Sequence, residues 1–290
     1  MTANPTDGRD PAAVFALLGD ETRLEILAAL FESGARTSSF STLHDRVGIR
    51  DSGQFNYHLS QLVPRFVSKV DDGYRLTSAG RRVARAVEAG YYTGSAEIES
   101  FETDGCCPLC GSHGLVAAYT DEQFRVDCEA CGGAVIRVRA PPTLVRGRTP
   151  REALAAFDRW STTRVTHAHE HELCPHCGGP VERDVRWHTA MERFEAVPVF
   201  ECRVCSGSTV TSFGALARTE PLVRAFADHN DLAFDCCYYW EIPQLVTDRH
   251  LEVSEEPWRA TLAFPADDVV CRITFDESHA VVRTETEAVD

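Results

Sequence analysis

The chain's 290 residues are 25% charged and 43% hydrophobic, with 44 acidic groups against 29 basic ones. Such a length predicts two or three small domains rather than one large core, and the apolar share excludes a disordered chain. No run of about 18 apolar residues occurs, which excludes a membrane-spanning helix.

Residues 1–10 are expected to be a flexible N-terminus. The opening MTANPTDGRDPAAV has neither a basic n-region nor an apolar h-region, which predicts no signal peptide and a cytoplasmic protein. Residues 11–18 (PAAVFALL) read as a short helix, with Pro11 near its start and Gly19 ending it. Asp20 should cap a second helix, ETRLEILAALFE, whose Leu24, Leu27 and Phe31 share a face and which Gly34 closes. FSTLHDRVG (40–48) reads as a third, with Ser41 as its cap and Leu43 and Val47 inward. A fourth follows Asp51 or Ser52 as cap, with Phe55, Leu59 and Leu62 inward and Pro64 ending it. Two short strands, 66–70 and 74–78, flank Asp71-Asp72-Gly73, whose Asp-Gly step favours a tight hairpin. A last helix is expected over 78–92. This order is that of a winged helix-turn-helix, mainly α with a β-hairpin wing, in which the fourth segment enters the major groove.

The charge distribution supports this reading. Residues 36–85 hold nine basic side chains, Arg36, Arg46, Arg50, Arg65, Lys69, Arg75, Arg81, Arg82 and Arg85, against four acids, inside a chain of net charge −15. Such a basic island is the electrostatic footprint of nucleic-acid binding, although a solvated face would look the same.

GDETRLEILAAL, the helix containing NYHLSQL and the wing VSKVDDGYRLT resemble the arsenical-resistance-repressor (ArsR) type of winged helix-turn-helix, over roughly residues 11–95. The resemblance implies a dimeric transcriptional regulator that binds double-stranded DNA and pairs through its first and last helices. The family's cysteine-bearing helix before the recognition helix has no counterpart, since 40–48 contains no Cys. Gln54, Asn56 and Gln61 have amides suited to an adenine edge, and His58 could donate to a base or phosphate. Tyr57 faces outward or packs in the core; His58 could instead pack against the second helix. Ser52, Arg50, Arg65, Lys69 and Arg75 suit phosphate contacts, which fix register without reading sequence.

The remaining chain is marked by cysteine. Cys107-Pro-Leu-Cys110 and Cys128-Glu-Ala-Cys131 are separated by 17 residues; Cys174-Pro-His-Cys177 and Cys202-Arg-Val-Cys205 by 24. Each pair makes a knuckle with two thiolates on one side, and two knuckles complete a tetrahedral zinc site. Gly111, Gly132 and Gly178 suit the turns after three of them, and the stretches between knuckles alternate as strands. Two zinc ribbons are predicted, at 104–135 and 172–208, each closed around one structural Zn2+. Iron–sulfur clusters and redox dithiols are the alternatives. Cys106 could replace Cys107 as ligand, while Cys236, Cys237 and Cys271 read as small buried residues. Residues 136–171 are expected to be a linker with a helix, ending in the polar run His167, His169 and His171. Residues 209–290 should form a small α+β cap, with a helix at 220–234 and strands in YYWEIPQLV, HLEVSEEPWRATLAF, VVCRITF and AVVRTE.

Lys69 is the only lysine. Acidity with arginine in place of lysine looks like proteins of halophilic archaea, although a GC-rich genome would also favour Arg. The whole chain resembles halophilic-archaeal regulators that join this N-terminal domain to a cysteine-rich region. The sequence-based expectation is a homodimeric DNA-binding regulator, not an enzyme. The rivals are a transcription-machinery adaptor resembling general transcription factor E, which would dock on protein, and a thiol or zinc redox sensor.

Overall fold

The computed structural model describes residues 10–34, 37–187, 194–232, 234 and 237–288. Arg36, Cys236 and nearly all of the expected N-terminal tail lie outside the described residues. The chain divides into two compact units, Met1–Ser95 and Ala96–Asp290.

The first unit runs α1 (Pro11–Ala16), α2 (Glu21–Glu32), α3 (Phe40–Val47), α4 (Ser52–Leu62), β1 (Val67–Val70), β2 (Gly73–Leu76) and α5 (Ser78–Glu88). Its core is a single cluster in which Ile26, Leu27 and Leu30 of α2 meet Leu43, Phe55, Leu59, Leu62, Val67 and Leu76. Asp20 caps α2, as predicted, by accepting from the Arg23 N–H. α3 starts earlier than the expected Ser41 cap, because Ser39 accepts from the Thr42 N–H and Phe40 becomes helical. Asp51, not Ser52, caps α4, taking the Gly53 and Gln54 N–H groups at 2.7 and 3.2 Å.

The hairpin differs from its prediction by one position. Val70 pairs with Gly73, so Asp71 and Asp72 form the turn and Gly73 belongs to β2. The reason is a neighbour distant in sequence: Ser38 and Tyr74 exchange two backbone hydrogen bonds of 2.9 Å. A Cβ at Gly73, where φ is +136°, would strike the Ser38 carbonyl. α5 ends four residues before the expected boundary, Gly90 having a left-handed φ of +66°.

The second unit contains three antiparallel sheets. β3 (Ile98–Cys106), β4 (His113–Thr120), β5 (Gln123–Cys128) and β6 (Ala134–Arg139) form a meander. α6 (Pro150–Glu170) follows, and then β7 (Val181–Trp187), β8 (Ala196–Cys202) and β9 (Ser208–Val210) form the second sheet. The short helices α7 (Phe213–Ala217), α8 (Pro221–His229) and α9 (Pro243–Val246) precede the last meander. That sheet is β10 (Leu251–Glu255), β11 (Trp258–Ala266), β12 (Val269–Phe275) and β13 (Val281–Ala288).

One core joins the segments expected to be two ribbons, a linker and a cap. Phe124 of the first sheet stacks on Phe157 of α6 at 4.5 Å, and Phe157 meets Trp240 at 6.0 Å. Phe213 of α7 contacts Phe275 of the last sheet at 5.6 Å, and Phe200 of the second sheet meets His279 at 5.2 Å. Residues 136–171 are therefore not a linker. α6 begins with a capping box between Thr149 and Glu152 and buries Ala153, Leu154, Phe157, Ala168 and His169. His169 thus points into the core rather than ending a polar run. YYWEIPQLV is not a strand either: it holds a 3-10 turn at Tyr239–Glu241 and then α9, started by Pro243. Among the described residues no helix is long and apolar enough to cross a membrane.

Candidate metal centres and nucleic-acid interface

The four Cys-x-x-Cys segments are built by one repeated hydrogen-bond pattern. The first cysteine's N–H donates to the carbonyl five residues on, at 2.8–2.9 Å in Cys107, Cys128, Cys174 and Cys202. Its own carbonyl accepts from the N–H four residues on, at Gly111, Gly132, Gly178 and Ser206. These returns need a left-handed residue, with φ +77°, +68° and +74° at the three glycines and +54° at Ser206. The turns aim free N–H groups at sulfur: Leu109 donates to Cys107 Sγ and His176 to Cys174 Sγ, each at 3.4 Å, and Val204 to Cys202 Sγ at 3.3 Å.

The knuckles meet in pairs. Cys107, Cys110, Cys128 and Cys131 form one cluster and Cys174, Cys177, Cys202 and Cys205 another, each with its four sulfurs within 4.8 Å of one another. Opposed sulfurs lie at 3.9 Å (Cys107–Cys131), 3.8 Å (Cys110–Cys128), 3.7 Å (Cys174–Cys205) and 3.5 Å (Cys177–Cys202). A tetrahedral ion with metal–sulfur bonds of about 2.3 Å requires sulfur–sulfur edges of about 3.8 Å. The eight predicted cysteines therefore fit two metal ions, one per cluster.

Cys106 does not compete. It turns outward to His113, with Sγ 3.6 Å from Nε2, while Cys107 is buried in the cluster. Burial pushes the Cys107 thiol up to about 12. The Ser112 hydroxyl and N–H hold Cys110 down near about 6, and the Cys205 N–H does the same for Cys202. Each cluster thus contains one sulfur poised as thiolate, the form a metal binds. Of the other cysteines, Cys271 is buried and Cys237 half-buried.

Residues 104–281, more than half of the chain and including both clusters, match the model of a domain of unknown function, DUF7351. The chain belongs to the DUF7351 family. The DUF7351 match runs from the end of β3 to the start of β13, so it lies within the second compact unit and covers most of it. Residues 11–87 match a separate domain of unknown function, DUF7347, which spans α1 to the end of α5. No curated protein matches the chain.

In the first unit, Phe55, Leu59 and Leu62 of α4 are buried, as predicted, and Ser52, Gln54, Asn56 and Tyr57 are exposed. Tyr57, 59% exposed, is settled as a surface residue. Gln61 is half-buried; Arg50, Arg65, Lys69 and Arg75 are exposed. Two polar residues are committed to the fold instead. Arg46 Nη1 donates to the Ala29 carbonyl at 3.0 Å, closing α2. His58, expected among the outward readers, turns back to Asp20, with Nδ1 3.2 Å from Oδ1 and the side chain 12% exposed. Helical spacing alone could not separate its orientation from that of Tyr57.

Proposed function

We propose that the chain is a sequence-specific DNA-binding transcriptional regulator of the winged helix-turn-helix type, resembling ArsR regulators. The single observation that carries this reading is the exposed polar face of α4, Ser52, Gln54, Asn56 and Tyr57, beside exposed Arg50, Lys69 and Arg75 in a chain of net charge −15. Helix α4 supplies the major-groove reader, with Gln54 and Asn56 at base edges, and β1–β2 supplies the wing. Arg50, Arg65, Lys69 and Arg75 hold phosphates.

The ions of the two clusters are proposed to be zinc. With four thiolates each, the sites leave no position for water activation, so the metal is structural, in keeping with a regulator. A homodimer is supported by apolar side chains left exposed on and after the first and last helices: Phe15, Val87, Tyr91 and Tyr92.

The test is a fluorescence-anisotropy titration of the full chain at several KCl concentrations. It compares DNA upstream of the protein's own gene with a scrambled duplex, using wild type and Gln54→Ala/Asn56→Ala. Selective binding that the double variant loses supports the reading, with a salt slope of roughly 0.9 per phosphate contacted. Equal, weak binding to both duplexes by both proteins moves the assignment to a winged helix that docks on protein, as in the transcription-machinery adaptor.

A further inference from the structure

A cavity of about 480 Å³ opens in the second unit where β6, α6, β9, α7 and α9 converge. Its volume is that of a pocket for a small organic molecule. Val138, Val165, Val210 and Leu245 give it apolar walls, with Trp160 beside them. Its charge is the opposite of the protein's. Arg137, Arg139, Arg164 and Arg218 line it, and among the described residues no Asp or Glu does, although residues 101–290 hold 31 acids against 18 bases.

The fold meets only part of this charge: the Cys174 sulfur acts on Arg164 and Asp158 on Arg218 through space, without an ion-pair contact to a carboxylate. Arg137 is paired with Asp127 at 2.7 Å, but Arg139, Arg164 and Arg218 have no carboxylate within ion-pair distance among the described residues. Arg164 lies over the Trp160 ring at 4.5 Å and reaches His176 Nε2 at 2.9 Å, contacts that orient a guanidinium without cancelling its charge. Arg218 donates through Nη2 to the Phe234 carbonyl at 2.7 Å, leaving Nη1 buried without a partner. Asp158, its nearest carboxylate influence, stays beyond ion-pair range and accepts the Tyr239 N–H instead. The hydroxyls of two further lining residues, Ser161 and Thr209, are also buried without partners, Thr209 being only 7% exposed. Unpaired cations and hydroxyls at an apolar cavity cost stability, and a ligand that satisfies them recovers it.

We propose that this cavity binds a small amphipathic organic anion: an aromatic or branched carboxylate whose apolar body packs on Val165, Val210 and Leu245 and whose charged group meets the unpaired arginines. The protein would thereby carry an effector site in the same unit as its metal clusters.

The test is isothermal titration calorimetry of the metal-loaded full chain with three probes of one shape: 1-naphthoate, 1-naphthalenemethanol and 1-naphthylmethylammonium. Naphthoate is expected to bind one per chain, about tenfold or more tighter than the alcohol, with no binding of the ammonium. Val210 is 40% exposed, so Val210→Glu places a carboxylate at the cavity without disturbing the core. It removes one apolar contact from both probes, so the alcohol should weaken slightly and naphthoate about tenfold more than the alcohol. Leu222→Glu on α8, away from the cavity, should change neither. Arg164→Gln should also lose naphthoate, with the metal content measured because Arg164 touches a residue between two metal-binding cysteines. Equal binding of acid and alcohol, no heat with naphthoate at millimolar concentration, or indifference to Val210→Glu would overturn the proposal. Heat is read without DNA, so the cavity stands or falls apart from the role of the N-terminal unit.

Discussion

His58 Nδ1 lies 3.2 Å from the Asp20 oxygen that also accepts the Arg23 N–H at 3.1 Å, so one carboxylate starts α2 and anchors α4. The approach is within ion-pair range, although its angle is not that of a hydrogen bond. Asp20 is 28% exposed, which limits its contribution. His58→Ala is expected to destabilise the first unit by at most about 1 kcal/mol, measured by urea unfolding. The same variant should keep any preference for one DNA sequence over another, whereas Asn56→Ala should lose it. A His58→Ala protein of unchanged stability and abolished sequence preference would return His58 to the reading face.

Ser206 occupies the position that glycine takes in the other three knuckles, at φ +54°. A left-handed conformation costs a side chain about 1 kcal/mol relative to glycine. Ser206→Gly should therefore stabilise the second unit by up to about 1 kcal/mol and slow loss of metal from the second cluster, read by competition with a chromophoric chelator. Gly178→Ser at the equivalent turn should do the reverse.

Metal removal should act on one unit. Trp160, Trp187, Trp240 and Trp258, the protein's four tryptophans, all lie beyond residue 96, so their emission reports the second unit alone. A strong chelator should shift that emission to the red and abolish its cooperative unfolding, because apparent zinc affinities of structural sites reach about 10–16 kcal/mol. Elemental analysis should find two ions per chain in the wild type and in Cys106→Ser, and one in Cys107→Ser. Two ions in Cys107→Ser would overturn the ligand assignment.

His279 is 1% exposed, with Nε2 3.0 Å from the Asp184 carbonyl, and burial holds its imidazole down near about 4. The unfolded value is about 6.5, so below it the unfolded state binds the extra proton and stability falls with pH until about 4. Above pH 7 this group contributes no slope. The loss across the window is on the order of 3 kcal/mol. Burial also lowers His169, which adds to the loss in the same direction. His279→Asn, suited to the left-handed φ of +62° there, should flatten the dependence between pH 7 and 5 at constant metal content, followed by urea midpoints.

The local chemistry of the chain was readable residue by residue. Asp20 and Asp51 announced helix starts, and the cysteine spacings announced the two clusters, because caps and knuckles need only neighbours close in sequence. Gly73 misled because its role is set by Ser38, across the sheet. His58 had two orientations open to it, and Asp20, almost forty positions away, decides which way the ring turns. The reading of residues 136–171 as a linker failed for a similar reason. Phe124, Phe157 and Trp240 show ordinary apolar periodicity in three separate segments, and nothing in their spacing says that they stack on one another. The cavity was invisible for the same cause, its arginines coming from β6, α6 and the end of α7.

The two clusters are not interleaved: all four cysteines of the first, ending at Cys131, precede Cys174, the first of the second. Eight thiolates could be sorted into fours in many ways, yet the native sorting groups neighbours and closes the shortest loops, which cost the least chain entropy. At a synthesis rate of roughly 5–20 residues per second, the first set is complete seconds before the second begins to emerge. A nascent chain can therefore seat one ion before any thiol of the second cluster exists, an order of birth that disfavours mispairing between the two sites.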